Sequence, residues 1–158
     1  MIVKEGFIYS TTVLDLYDRK IIGWSLSNGM NVGETSLAAW KMAVKNRSIE
    51  KGLLFHSDRG VQYASKKFTN VIESYKMITR SMSQKGNYSG NAVAESFFKT
   101  LKTEQIHRNK LLSKEQMKRA IFEIIEICYN TKRRLSALDY KPLKNSGYRK
   151  IILKMLLN

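Results

Sequence analysis

Two acidic residues lie where their side chains could take part in chemistry. The first, Asp58, follows the short apolar run at residues 53–55 and the pair His56 and Ser57. In open α/β sheets, active groups collect beyond the carboxyl ends of strands, and a carboxylate there is a natural ligand for a hard divalent cation. Aspartate also caps turns and helices at such places, so its position alone does not decide between the two interpretations.

Glu95 is the second candidate, because it shares a helical face with two lysines. At 100° per residue, Glu95, Lys99 and Lys102 lie along one stripe at i, i+4 and i+7. An ordinary solvated ion pair, worth under ~1 kcal/mol, would explain this stripe. A metal ligand with phosphate-binding lysines beside it would explain it equally well. Phosphodiester transfer with two metal ions needs several acidic ligands and a basic surface for the DNA backbone.

The remaining ligand-type side chains do not form a second metal site by their spacing. His56 and His107 are too far apart in sequence for a zinc pattern. We expect His56 to pack or hydrogen-bond beside Asp58, and His107 to lie on the surface near a helix end. The single cysteine, Cys128, excludes an internal disulfide framework and is interpreted as a small core residue.

The charge of the chain indicates a polyanionic partner. The 158 residues include 28 Lys and Arg against 13 Asp and Glu, a formal net charge of +15. Residues 99–158 carry 15 basic and 5 acidic side chains, so two thirds of the excess lies there. Nucleic acid is the usual partner of so basic a domain, although a merely very soluble protein would look the same. No apolar run or secretory pattern favours a membrane, so we expect a cytoplasmic location.

The elements that must position these residues follow an α/β or α+β plan. Alternating or continuous apolar patterns predict strands at residues 7–16, 21–26, 53–55 and 77–82. Helical periodicity and capping signals predict helices at residues 33–45, after Ser65, from residue 92 to about 107, and after Ser113. Residues 83–91 contain two glycines and predict a mobile loop. The pattern does not give the strand order.

Four ordered segments resemble motifs of bacterial transposases of the insertion-sequence-three family. They are TVLDLYDRKIIGWS at 12–25, HSDRGVQY at 56–63, SMSQKGN at 81–87 continued by NAVAESFFKTLK at 91–102, and the Tyr-Asn, Arg-Arg and Ser-Ala-Leu groups within 129–138. The resemblance runs from about Lys4 to about Tyr140. Four motifs in order over that length are far more specific than any one of them.

The resemblance implies a ribonuclease-H-like fold, a mixed sheet flanked by helices, as in retroviral integrases. We expect residues 1–140 to form the integrase catalytic core and residues 141–158 to form a basic C-terminal tail. The family site is an Asp-Asp-Glu set that holds two Mg²⁺ ions, for which Mn²⁺ can stand in. By motif, Asp58 matches the second carboxylate and Glu95 the third, each both a catalytic residue and a metal ligand.

The same resemblance implies DNA contacts. Lys99 and Lys102 match lysines that follow the family's glutamate and contact DNA ends. Arg133 and Arg134, in the closing motif, are further candidates for DNA binding.

The family's first aspartate lies on the strand before the hairpin, a few residues upstream of the position of Met1. We therefore expect the domain to be truncated at its N-terminus, without its first and central strand. Asp15 and Asp18 match other positions of the hairpin motif and are not assigned the catalytic role. A missing central strand predicts unpaired strand edges, unless another segment supplies the strand.

The resulting hypothesis is a DNA transposase or integrase core, acting by metal-dependent strand transfer and inactive in this chain because the first aspartate is absent. We expect it to be nucleoid-associated, and to self-associate or associate with full-length transposase. The alternative is a catalytically inert remnant that only binds DNA or a transposase partner. A third class, a basic RNA-binding protein, would explain the charge but not the four motifs.

Overall fold

The computed structural model describes residues 1–17, 19–49, 51–58, 60–82, 92–101, 103, 112–132 and 150–156. In this part of the chain the strands form a two-stranded hairpin and a five-stranded mixed sheet. The hairpin strands are β1 (Ile2–Val3) and β2 (Gly6–Phe7). The sheet strands are β3 (Tyr9–Asp15), β4 (Ile21–Ser27), β5 (Leu53–Ser57), β6 (Ile78–Met82) and β7 (Lys150–Leu156).

Helices and buried side chains cover both faces of the sheet. The helices are α1 (Ser36–Asn46), α2 (Val61–Ala64), α3 (Lys66–Ser74), α4 (Ala92–Leu101) and α5 (Lys114–Phe122), the last continued by a π-helical segment, Glu123–Lys132. Residues of α1 and α3 share one buried cluster with the sheet, and residues of α4 and α5 share another. This mixed sheet flanked by helices confirms the predicted α/β, ribonuclease-H-like class.

The strand order is β4-β3-β7-β5-β6, so the middle of the sheet comes from residues 150–156. β7 runs antiparallel to β3 and parallel to β5. Within the described residues, the β3–β4 hairpin and the β5–β6 pair are joined only through β7. The position that the family resemblance gives to a strand before the hairpin is therefore occupied by a segment that follows the helices.

The core on the α1 side depends on a very close approach of helix to strand. Gly23 of β4 lies against α1, where a Cβ atom would come within 2.6 Å of the Ala43 nitrogen. Trp40 of α1 is 1% exposed and meets the ring of Phe55 edge to face, with centroids 5.4 Å apart. Phe55 also contacts Phe68 of α3. Glycine at position 23 thus lets α1 pack close enough to bury its aromatic face.

The closing motif fastens the end of the helical layer to the sheet. Asn130 accepts a hydrogen bond from the backbone nitrogen of Ile21 at 3.0 Å and donates one to its carbonyl oxygen at 2.9 Å. Tyr129 packs edge to face on Phe97 of α4, with centroids 4.7 Å apart. Since β4 is an edge strand, Asn130 satisfies backbone groups that would otherwise lack a ladder partner. The Tyr-Asn pair therefore has a structural role.

Local signals gave the helix starts more reliably than the strand list. Ser65 caps α3 by accepting from the Phe68 nitrogen, and Ser113 forms the predicted capping box with Gln116 at the start of α5. α1 begins at Ser36 rather than at residue 33. The four-residue helix α2 is too short to show periodicity in the sequence. The predicted loop at 83–91 and the end of the helix predicted to reach about 107 lie outside the described residues.

Candidate metal and DNA site

Asp58 lies one residue beyond β5, and its carboxylate is held by the turn that follows. Its Oδ1 atom accepts a hydrogen bond of 2.8 Å from the backbone nitrogen of Gly60, the local turn that aspartate favours. A Cβ on Gly60 would lie 3.0 Å from this oxygen and 3.2 Å from the Tyr63 ring. The side chain of Asp58 is half-buried. Glycine at position 60 therefore lets the carboxylate settle against the turn.

Tyr63 packs behind this turn and belongs to the core on the α1 side. It is 1% exposed, and its ring contacts Phe68 with centroids 5.8 Å apart. Its hydroxyl is buried without a hydrogen-bond partner in the structure. Burial, together with the nearby Asp58 carboxylate, raises the pKa of Tyr63 well above its ordinary value. Our sequence reasoning did not single out Gly60 or Tyr63, although the Asp-x-Gly spacing is itself a turn signal.

Strand alternation places Asp58 on the α4 side of the sheet. Leu53 and Phe55 of β5 belong to the core under α1 and α3, so the intervening side chains of β5 lie on the opposite face. His56 occupies such a position and lies within hydrogen-bonding distance, 3.1 Å, of Ser81 Oγ on β6. Asp58 follows at the next position of the same parity. The expectation that His56 hydrogen-bonds beside Asp58 is thus confirmed.

Glu95 belongs to the first turn of α4, on this same side of the sheet. The helix buries Phe97, Phe98 and Leu101 in the core that also contains Leu14 of β3. Glu95 itself is exposed, as is Lys99 one helical turn later. The two predicted carboxylates therefore share a side of the sheet, while their convergence on one metal centre stays a prediction.

Asp15 has a different environment and serves the β3–β4 turn. It is fully buried, its Oδ1 accepts a hydrogen bond from the Tyr17 nitrogen at 2.9 Å, and its Oδ2 lies 3.7 Å from Arg47 Nε. Arg47 follows the last residue of α1, so this ion pair lies on the face opposite to α4. The decision not to assign Asp15 a catalytic role agrees with this geometry. Asp18 lies outside the described residues.

The acidic donors suit one hard divalent cation better than a pair. Among the described residues, no three His, Cys, Asp or Glu side chains come together. Asp58 and Glu95 remain as oxygen donors, the type that Mg²⁺ and Mn²⁺ prefer. A two-metal site needs more carboxylates than these two. The donor chemistry therefore fits a single, loosely held ion.

The remaining predicted DNA contacts cannot be placed on this surface. Lys99 is exposed beside Glu95. Lys102, Arg133 and Arg134 lie outside the described residues, as does His107. No helix within the described part of the chain is long and apolar enough to cross a membrane.

A mixed sheet covered by helices on both faces, with a carboxylate beyond an inner parallel strand and another on an adjacent helix, defines a ribonuclease-H-like domain. The family model described as integrase core domain matches residues 1–88, and a second integrase core domain model matches residues 95–153. The chain belongs to the integrase core domain family.

Curated relatives agree with this assignment. The chain is 38% identical over 142 residues to the transposase for insertion sequence element IS904 of Lactococcus lactis, covering 90% of this chain and 55% of the relative. It is 39% identical over 132 residues to the transposase InsF for insertion sequence IS3A of Escherichia coli K12, covering 84% of this chain and 45% of the relative. The predicted resemblance to insertion-sequence-three transposases is confirmed. The chain spans about half the length of these relatives.

Proposed function

We propose that this chain is the integrase core of a DNA transposase, which binds DNA and holds a divalent cation through Asp58 and Glu95. The observation that carries the proposal is the placement of Asp58 beyond β5 on the side of the sheet covered by α4, in a chain that matches the integrase core family. Ligands of α/β proteins gather at such strand ends.

Asp58 and Glu95 would hold the cation, and the surrounding residues prepare them for it. The Gly60 nitrogen fixes one oxygen of Asp58, which reduces the entropy lost when a metal is bound. The bound cation would polarise a phosphodiester and lower the pKa of an attacking water molecule. Lys99, exposed one turn after Glu95, would neutralise a phosphate of the bound strand.

DNA is the proposed partner because of charge as well as family. The formal net charge is +15, and both relatives named above are transposases. Contacts to phosphates supply sequence-independent affinity that falls steeply with salt. Self-association, or association with a full-length transposase, is the further partner that we propose.

We further propose that the isolated 158-residue chain binds DNA without joining strands. The described residues offer two carboxylates on the α4 side, and a clamp on both the attacking and leaving oxygens needs a metal pair. The second candidate function is accordingly that of a DNA-binding chain without catalysis. Assaying 3′-end joining with Mg²⁺ and with Mn²⁺ separates the two, because joining by the isolated chain excludes the second.

Metal binding tests the site assignment directly. Mn²⁺ binding to the folded chain, followed by electron paramagnetic resonance, should weaken at least about tenfold in Asp58→Asn and in Glu95→Gln, since each removes one of two charged ligands. Glu73→Gln is the matched control, because Glu73 is an exposed glutamate of α3 that pairs with Arg80. Equal affinity in all three variants would exclude Asp58 and Glu95 as the metal ligands.

DNA binding is tested by salt titration. Lys99→Ala should weaken binding to a duplex and reduce the slope of log K against log salt by ~0.9, the value for one phosphate contact. Lys118→Ala is the control, because Lys118 is an exposed lysine of α5 that pairs with Glu115. If the two variants bind alike, Lys99 does not contact DNA.

A further inference from the structure

β7 brings a lysine to the end of the sheet where Asp58 lies. In the parallel ladder between β5 and β7, Ser57 is paired with Leu153, so one further step along both chains sets Lys154 level with Asp58. On its other side, Lys154 is paired with Thr12 of β3. Neighbouring strands are ~4.8 Å apart. The backbone therefore carries the lysine and the aspartate on adjacent positions.

The two ladders agree on the face to which position 154 belongs. Paired residues of neighbouring strands lie on the same face of a sheet. Leu14 is part of the core under α4, and Thr12, two residues before it, shares that face. Asp58 lies on the same face by alternation along β5. Position 154 is thus on the side of the sheet that carries Asp58 and Glu95.

We infer that Lys154 is an internal cation for Asp58, and that β7 thereby limits how tightly this site binds a divalent metal ion. The inference rests on the proposed function, because it takes Asp58 as a metal ligand. A charge in the middle strand of a sheet needs a nearby opposite charge, since an unpaired buried charge is far more costly than a paired one. The ammonium of Lys154 and a metal ion compete for the same carboxylate.

Asp58 is the anion that the sheet offers to this lysine. The other positions of this face on the two strands next to β7 are neutral at pH 7 or, for His56, not acidic: Ser10, Thr12, Leu14, Leu54 and His56. The remaining carboxylate on this side, Glu95, is on the helix above the sheet. In register, the first carboxylate met beside Lys154 is therefore that of Asp58.

Removing this positive charge should strengthen metal binding. Two like charges near one another inside a protein are screened much less than in water, and the repulsion acts on a doubly charged ion. We expect Lys154→Met to bind Mn²⁺ about tenfold more tightly or better, measured on the full 158-residue chain by electron paramagnetic resonance. Lys154→Arg keeps the charge and should bind like the parent. Thermal unfolding of each variant checks that the fold is retained.

Lys150 supplies the matched control on the same strand and face. It is paired with Leu54, four residues before the level of Asp58, or ~13 Å along the strand. Lys150→Met removes the same net charge from the chain, so it should leave Mn²⁺ affinity within about twofold of the parent. If it raises the affinity as much as Lys154→Met does, the effect is one of net charge and the inference is wrong.

Two further outcomes separate this inference from the function on which it rests. If Asp58→Asn removes Mn²⁺ binding while Lys154→Met leaves it unchanged, the lysine inference is overturned and the site assignment stands. If Asp58→Asn leaves the affinity unchanged in both the parent and the Lys154→Met background, both proposals are overturned. Tight binding by Lys154→Met that is abolished by adding Asp58→Asn supports both.

Discussion

The approach of α1 to β4 makes Gly23→Ala a severe substitution. A Cβ at position 23 would lie 2.6 Å from the Ala43 nitrogen, 2.8 Å from the Ala43 Cβ, and closer still to the carbonyl oxygen of Ala39. Ordinary contacts of this kind are about 3.5–4.0 Å. Relief therefore requires α1 to move by ~1 Å, and two of the three atoms are backbone, so no side-chain rotation can provide it.

The expected loss is at the upper end of the range for overpacked cores. Such substitutions cost about 1–3 kcal/mol and occasionally more, and we expect about 3 kcal/mol for Gly23→Ala. For a chain of this size, that corresponds to a melting temperature lower by ~6–12 °C. The smaller entropy of the unfolded alanine chain offsets only ~0.4–1 kcal/mol. Urea unfolding, followed by circular dichroism, measures the difference in free energy.

Gly29→Ala is the matched control for this measurement. Nothing lies within 4 Å of a Cβ at position 29, and its φ is not in the left-handed region. We expect it to change the free energy of unfolding by no more than ~1 kcal/mol, in the stabilising direction. If Gly23→Ala unfolds within ~0.5 kcal/mol of Gly29→Ala, α1 does not pack against β4 as closely as the structure has it.

Three other substitutions test separate parts of the structure. Asn130→Ala should lower the free energy of unfolding by about 2–3 kcal/mol in a urea titration, because it leaves both backbone groups of Ile21 without partners; a neutral result would contradict the edge-strand contact. Tyr63→Phe should cost less than ~1 kcal/mol at pH 7, since the hydroxyl has no bond to lose. Because the folded pKa of Tyr63 is raised, the parent should lose stability relative to Tyr63→Phe as the pH rises above 10.0, where the unfolded tyrosine ionises; parallel stability curves up to pH 11 would refute this. Ile152→Pro should cost at least about 1–3 kcal/mol, as a ladder donor is lost between β3 and β5, while Ile152→Val should be nearly neutral; equal melting temperatures would exclude β7 from the sheet.

The sequence by itself determined the local features of this protein. A serine oxygen can satisfy the free nitrogens of the next few residues without help from the rest of the chain, so Ser65 and Ser113 revealed the starts of α3 and α5. The motifs around Asp58 and Glu95 likewise indicated the family, which the comparisons confirm. Apolar runs gave β4, β5 and β6 to within two residues, because strand formation there agrees with the local pattern.

Only the tertiary structure decided which strand lies in the middle of the sheet. Residues 150–156 alternate lysine with apolar residues in a way that also suits a basic tail, and nothing local specifies a partner. Strand order depends on pairings between residues more than ninety positions apart, such as Leu54 with Lys150. The roles of Asp15 and Asn130 also depend on distant partners, Arg47 and Ile21. A sequence pattern records the preferences of each segment, whereas the energy of burying a strand between two others exists only once the chain has folded around it.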